Sequence, residues 1–440
     1  MTSLQKVVCL TALIGALPVG AVADNRIDGQ RPDAPELAAY GEHTIGVRTL
    51  EFTHANQVEI LALDPGATKP LELPRYDRPL TVEFWYPAQA DSQGSTTLQT
   101  YLRDGKTQVE LEGKAHRDAV PAGGAYPLVL ISHGYPGNRY LLAHLAENLA
   151  SMGYVVASID HKDSTYRDKA AFGSTLVNRS LDQVFVLNEI ERLSKDDDFF
   201  LTGQVDTSST GLVGYSMGGY GAVITAGGGV TQQAVDLSWG APHGTLGVHL
   251  AGSESHGALI DPRIKTAVAF APWGRARDFW DADGLKGVQI PMLFVAGSQD
   301  DVSGYEDGVR KIWEEASSVD RALLTYEHAN HNAGAPMPAP VESYKYDDDI
   351  GFNVSEHYID AVWDSVRMNN VAQHFVTAWM GHYIKGEEDK AGYLDLVASS
   401  NNGVWSKEED GSFSSEHTYW KGFSDRTAKG LRFEWLKASK

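Results

Sequence analysis

Cysteine is almost absent from this 440-residue chain: the only one is Cys9. It lies in an apolar stretch that reads as a cleaved leader, so the remaining chain is expected to hold no disulfide, no thiolate nucleophile and no cysteine-ligated metal. Basic residues are also few, 37 Lys and Arg against 58 Asp and Glu, a formal charge of −21. A surface this acidic repels nucleic acid and anionic headgroups, which argues against a polyanionic partner. The apolar run 7–19 is short for a stable membrane span and is interrupted by Pro18. No His-Glu metal motif, Walker loop or dinucleotide fingerprint occurs, so neither a metal nor an organic cofactor is expected. The acidic runs 196–198 and 347–349 read as solvated loops in preference to calcium sites.

Hydrophobic residues make up 42% of the chain and charged residues 22%, a globular composition. Lys6, the apolar run 7–19 and the small residues Ala21-Val22-Ala23 have the order of a secretory signal peptide over residues 1–23, which predicts a secreted or periplasmic protein. Residues 24–42 are polar, carry Pro32 and Pro35, and read as a loose arm. The segments 44–52 and 79–87 alternate as half-buried strands and are expected to pair at an antiparallel edge. The stretch 88–124 is low in pattern and reads as loop with a short helix.

From residue 128 the chain alternates short apolar runs with amphipathic helices, which predicts a doubly wound, mostly parallel sheet over residues 43–385. Strands are expected at 128–132, 154–159, 211–213, 266–270, 292–296 and, last, 323–326. Helices are expected at 140–152, 180–193 and 363–384. The Gly-, His- and Ser-rich segment 227–262 reads as a cap-like insertion, and the aromatic tail 386–440 as an extension packed on the domain. Oligomeric state is not legible.

The chemistry lies where strands end. Gly214-Tyr215-Ser216-Met217-Gly218 follows an apolar strand and opens a small-residue helix, the context of a nucleophile elbow. A serine hydroxyl needs a general base, and the base an orienting acid, in the chain order Ser, acid, His. Gly297-Ser298-Gln299-Asp300 follows a buried strand, which favours Asp300 over its neighbour Asp301. Glu327-His328-Ala329-Asn330-His331 follows the last predicted strand, which favours His331 over His328. An oxyanion requires two N–H donors; Met217, just after the nucleophile, and Tyr135, in the loop after the first parallel strand, are the candidates. The Tyr135 ring and Trp273 are candidate substrate-pocket walls, and His161 and Asp163 read as rim or structural.

These motifs resemble the secreted α/β-hydrolases described as dienelactone-hydrolase-like or platelet-activating-factor-acetylhydrolase-like. The resemblance runs from about Gly46 to the C-terminus. It includes Arg78-Pro79-Leu80-Thr81-Val82-Glu83-Phe84-Trp85-Tyr86-Pro87-Ala88, Ser132-His133-Gly134-Tyr135, Gly153-Tyr154-Val155-Val156-Ala157 and His417-Thr418-Tyr419-Trp420-Lys421-Gly422-Phe423. Two departures stand out. Dienelactone hydrolases use cysteine where this chain has Ser216, and acetylhydrolases place the acid where this chain has Ala271-Pro272-Trp273. Asp300, Trp273 and Asn330-His331 are together similar to bacterial cutinases and polyester hydrolases. The resemblance implies an α/β-hydrolase fold and a carboxylic-ester hydrolase acting on a small-molecule or lipid-like ester. The rivals are a peptidase, amidase or lactone hydrolase on the same fold, and a non-catalytic binding protein that kept it.

Overall fold

The computed structural model describes residues 25–439; the leader 1–23 lies outside them. In chain order the strands are β1 (Thr44–Val58), β2 (Arg75–Ala88), β3 (Thr97–Tyr101), β4 (Gln108–Glu112), β5 (His116–Arg117), β6 (Tyr126–Ser132), β7 (Val155–Asp160), β8 (Val205–Tyr215), β9 (Ile264–Phe270), β10 (Met292–Gly297), β11 (Arg321–Tyr326), β12 (Tyr346–Asp347), β13 (Phe352–Asn353) and β14 (Leu431–Leu436). Ten form one sheet in the order β14-β11-β10-β9-β8-β6-β7-β2-β1-β5. Its centre, β11 to β7, is parallel; β2 joins β7 and β14 joins β11 antiparallel. This is the α/β-hydrolase fold.

The short apolar runs form central strands because both faces are covered. Val129 and Ile131 of β6 enter one core and Leu128 and Leu130 the opposite one. Helix α1 (Ala143–Ser151) and the helix Ser365–Met380 cover the first face; α2 (Phe172–Leu193) and α3 (Met217–Thr225) cover the second. An all-apolar strand thus keeps the period-two alternation of a sheet, with both sets of side chains buried.

Several segments depart from the sequence reading. Residues 25–42 are pinned, not loose: Ile27 N–H donates to the Glu112 carbonyl (2.9 Å) and Leu37 N–H to His374 Nδ1 (3.1 Å). The stretch 88–124 contains the β3–β4 hairpin, whose Leu98, Val109 and Leu111 are buried. Helix α2 begins at Phe172, eight residues before the expected start at Ser180. β11 is not the last strand of the sheet, since β14 from the aromatic tail pairs with it, Phe433 opposite Leu324. The segment 227–262 is held against α2: Val230, Ala234 and Leu246 are buried, and His249 Nε2 bonds the Val177 carbonyl (2.7 Å).

One polar network crosses the second core. Arg78 on β2 donates to both oxygens of Asp182 (2.8 and 3.0 Å), to Asp163 (2.9 Å) and to the Lys162 carbonyl (2.8 Å). Burial pushes the Asp182 carboxyl up, but the Arg78 guanidinium and His161 outweigh it and hold it far below the usual range. Asp163 and His161, both buried, thus have structural surroundings. Removing one partner of a buried pair strands the other charge. Asp182→Ala is expected to cost about 3–5 kcal/mol in chemical denaturation; a loss under about 1 kcal/mol would mean that Asp163, the Tyr76 hydroxyl and the Lys162 carbonyl satisfy Arg78 without it.

Burial also pushes His144, His161, His357 and His374 down to about 3 and His249 to about 4. Each is neutral when folded and titrates near 6.5 when unfolded. Between those values the unfolded chain binds more protons, so stability is present above about pH 6.5 and is lost as pH falls toward 3, by about 1.4 kcal/mol per pH unit per imidazole. Glu147, pushed up to about 7 by burial, acts in the opposite sense. The five histidines outnumber it, so urea unfolding at pH 5 should show markedly lower stability than at pH 7.5; equal stability would mean that these imidazoles are hydrated in the folded protein.

Candidate active site

Ser216 sits between β8 and α3 with φ 54° and ψ −113°. A non-glycine residue in that region is strained and persists only where its surroundings force it. The forcing contacts are two close approaches. A Cβ on Gly214 would lie 2.2 Å from the Gly218 carbonyl oxygen, and one on Gly218 would lie 1.9 Å from the Ser132 carbonyl oxygen. Only glycine at both positions allows the strand to reverse into the helix against β6. Ser216 N–H donates to the Phe270 carbonyl (2.8 Å), and its own carbonyl accepts from Tyr220 (2.9 Å) and Trp273 (3.3 Å). The serine is thereby locked between β8, β9 and α3.

The structure brings the three sequence candidates together. His331 Nε2 is 3.0 Å from Ser216 Oγ, and His331 Nδ1 is 3.0 Å from each Asp300 carboxylate oxygen. The Nδ1 proton is therefore donated to Asp300, leaving Nε2 to accept from the serine hydroxyl. Asp300 Oδ1 also accepts from Val302 N–H (3.0 Å) and Ser303 N–H (2.8 Å). Burial pushes the Asp300 carboxyl up, but His331 and these N–H donors outweigh it and hold it below the ordinary value. The neighbouring Asp301 is exposed at the cavity rim, and His328 is exposed, its N–H given to Ser298. The arrangement has the geometry of a serine-hydrolase triad.

Ser216 and His331 open onto a cavity of about 540 Å³, lined also by Arg103, Tyr135, Tyr215, Phe352, His357 and Ile359. Its outer wall comes from residues 352–361 after the last parallel strand, whereas no residue of 227–262 lines it. Asn332 fixes that wall. Its Oδ1 accepts from Tyr215 OH (3.0 Å), and its Nδ2 donates to the carbonyls of Glu356 (2.9 Å) and Ile359 (2.7 Å). Sequence reasoning passed over Asn332, although it lies beside His331. It also passed over Arg103, which comes from the turn after β3 in a stretch read as loop.

Met217 is the first residue of α3, so its N–H has no intrahelical acceptor and borders Ser216. The Tyr135 N–H direction is set by the peptide it shares with Gly134. His161 N–H donates to His133 Nε2 (3.1 Å), so the His133 proton is on Nδ1, which bonds the Gly134 carbonyl (2.7 Å). Holding that carbonyl on one side turns the Tyr135 N–H to the other. The Tyr135 ring lines the cavity and meets Phe172 edge-on at 5.0 Å. Trp273 stands one ring further back, 5.3 Å from Phe172 and 5.0 Å from Phe279, and is not part of the cavity lining.

Beneath this site lies a second relay of the same residue types. Ser132 Oγ is 2.8 Å from His161 Nε2, and His161 Nδ1 is 2.9 Å from Asp182. It also has the bonding pattern of a serine-hydrolase triad, but its environment differs. Ser132, His161 and Asp182 are each at most 1% exposed, and Asp182 is shared with Arg78. The relay holds the carboxyl ends of β6 and β7 together beside the Gly134 turn.

A family model described as PETase, PET hydrolase-like, matches residues 113–242. Cutinase est1 of Thermobifida alba is 24% identical over 209 residues, 47% of this chain and 54% of its own length. A platelet-activating factor acetylhydrolase of Cavia porcellus is 29% identical over 150 residues, 32% of this chain and 33% of its own. The chain spans about half the length of the curated relatives it matches. Among solved structures, a ferulic acid esterase from Streptomyces cinnamoneus superposes with a TM-score of 0.50 at 20% identity, over 80% of this chain and 94% of that one. The sheet order and the serine elbow give the chain the α/β-hydrolase fold, and its sequence is similar to bacterial cutinases, the PET hydrolase-like family and a platelet-activating factor acetylhydrolase.

Proposed function

We propose that the protein is an exported serine hydrolase of carboxylic esters, with Ser216 as nucleophile, His331 as general base and acid, and Asp300 as the orienting carboxylate. The observation that carries this reading is the 3.0 Å contact of Ser216 Oγ with His331 Nε2 at the floor of an open cavity. Export rests on the leader-like residues 1–23.

In the proposed reaction His331 Nε2 takes the Ser216 proton as Oγ attacks the ester carbonyl. The negative charge on the carbonyl oxygen is met by the Met217 and Tyr135 N–H groups. Asp300 stabilises the imidazolium formed at His331. Collapse breaks the ester C–O bond, His331 passes its proton to the leaving alcohol, and an acyl group remains on Ser216. Water, deprotonated by His331, releases the acid and restores the serine. Tyr135 borders the substrate, and Trp273 acts at one remove by backing Phe172 and Tyr135. The ester reading is favoured over amide or lactone hydrolysis because the relatives' names, cutinase, acetylhydrolase and ferulic acid esterase, all denote hydrolysis of esters.

Ser216→Ala is expected to lower turnover of p-nitrophenyl butyrate by roughly 10⁴- to 10⁶-fold with an unchanged thermal melt. A variant that kept more than about a tenth of wild-type turnover would remove Ser216 from the mechanism.

A further inference from the structure

Arg103 is the one Arg or Lys among the described residues that line the cavity, and the proposed reaction leaves it unused. It stands in the tight turn between β3 and β4, where Leu102 N–H bonds the Thr107 carbonyl (2.8 Å). Its own backbone N–H donates to Tyr358 OH (3.1 Å), so the turn is tied to the outer wall. The guanidinium lies over the Phe352 ring, 5.4 Å from its centroid, and lines the same cavity as Ser216 and His331.

Among the described residues this guanidinium has neither a hydrogen bond nor an ion pair. Its surroundings make that unusual. Carboxylates exceed basic residues across the chain by 58 to 37, and Arg78, Arg139, Arg263, Arg275 and Arg310 each hold at least one of them. Burial lowers the Arg103 pKa from its ordinary value, and the groups that oppose this are the phenols of Tyr166, Tyr358 and Tyr135, with no carboxylate among them. The carboxylates that line the cavity are otherwise placed: Asp301 is exposed at the rim, and Glu356 Oε1 accepts from Asn353 N–H (3.1 Å) and Nδ2 (3.0 Å). His357, beside Arg103, is half-buried, and burial pushes its imidazole down to about 3, which leaves it neutral.

A half-buried cation without a counterion forgoes hydration, and here the Phe352 ring is the one group among the described residues set against it in return. The balance changes when a ligand brings the anion. A guanidinium presents a planar fork that matches a carboxylate in two parallel hydrogen bonds. One such fork, with no lysine in the lining, suits a monoanion better than a phosphate dianion. Phe352, Ile359, Ala361 and Tyr135, in the same lining, supply apolar surface for the rest of such a ligand.

We propose that Arg103 is a specificity residue that selects esters carrying a second, free carboxylate, so that the substrate class is the half-esters of dicarboxylic acids. The inference rests on the ester-hydrolase reading of the same site. One carboxyl of the substrate, esterified, is attacked by Ser216; the other pairs with Arg103 and is unchanged. Hydrolysis consumes one water and yields the dicarboxylate, the alcohol and one proton. The attractive patch is local, inside a molecule whose net charge repels anions, so selectivity should weaken with added salt.

The test compares ethyl half-esters of linear dicarboxylic acids, four to ten carbons long, with the diethyl esters of the same acids. At the best chain length, wild-type kcat/KM per ester bond should favour the half-ester by about tenfold or more. Arg103→Gln should bring that ratio close to one, chiefly by raising KM for the half-ester, and Arg103→Lys should restore part of it. A wild-type ratio near one at every length, or a ratio that survives in Arg103→Gln, would overturn the role of Arg103 while leaving ester hydrolysis intact. If wild type cleaves neither series, the ester reading itself fails. Calorimetric titration with monoethyl adipate then decides Arg103 separately: binding about tenfold weaker in Arg103→Gln supports an anion site, and equal binding excludes it.

Discussion

The contact of Gly218 with the Ser132 carbonyl is the constraint on which the site depends. It brings the start of α3 against the carboxyl end of β6, closer than any side chain at Gly218 would allow. Three consequences follow from that one approach. Ser216 is held at positive φ with its hydroxyl outward, Met217 N–H is left free at a helix start, and the Gly134-Tyr135 turn is set beside both. β10 and β11 then need only end level with β8 for Asp300 and His331 to reach the serine. Their parallel register, Gly297 opposite Tyr326, sets that level.

Two Ser-His-Asp relays in one chain show how little residue type alone decides. The distances are nearly equal, 2.8 and 2.9 Å in the buried relay and 3.0 Å throughout the open one. What separates them is surroundings. Ser132 lies within a strand with both faces covered, and its histidine is kept neutral by burial. Ser216 projects from a strained turn into a cavity that also contains an uncompensated cation. The two are joined through the backbone: His161 N–H donates to His133 Nε2, and His133 Nδ1 in turn bonds the Gly134 carbonyl.

Local pattern in the sequence reached those features that follow from periodicity or from position at a strand end. The central strands were legible because continuous apolar runs have few other fates, and Ser216, Asp300 and His331 because each follows such a run. The β3–β4 hairpin was not, since each of its strands buries only two side chains and the alternation is too brief to stand out. β14 did have a signal, the strict alternation Leu431-Arg432-Phe433-Glu434-Trp435, lost among the surrounding aromatics. Arg103, Asn332 and the Ser132-His161-Asp182 relay left none. Their partners lie tens to hundreds of residues away, and only the folded sheet brings them within bonding distance. Nor does composition say which segment lines the cavity: the glycine-rich segment 227–262 reads as cap-like, yet the lining comes from residues 352–361, because glycine-rich composition marks irregular backbone, not which side of the sheet it covers.

Which of the two serines is activated is the central question, and a fluorophosphonate answers it directly. The folded protein would be treated with the reagent, its intact mass measured, and the modified peptide sequenced by mass spectrometry. The account predicts one adduct per chain, on Ser216, with Ser132 unmodified until the protein is unfolded. An adduct on Ser132 in the folded protein, or none at all, would contradict it.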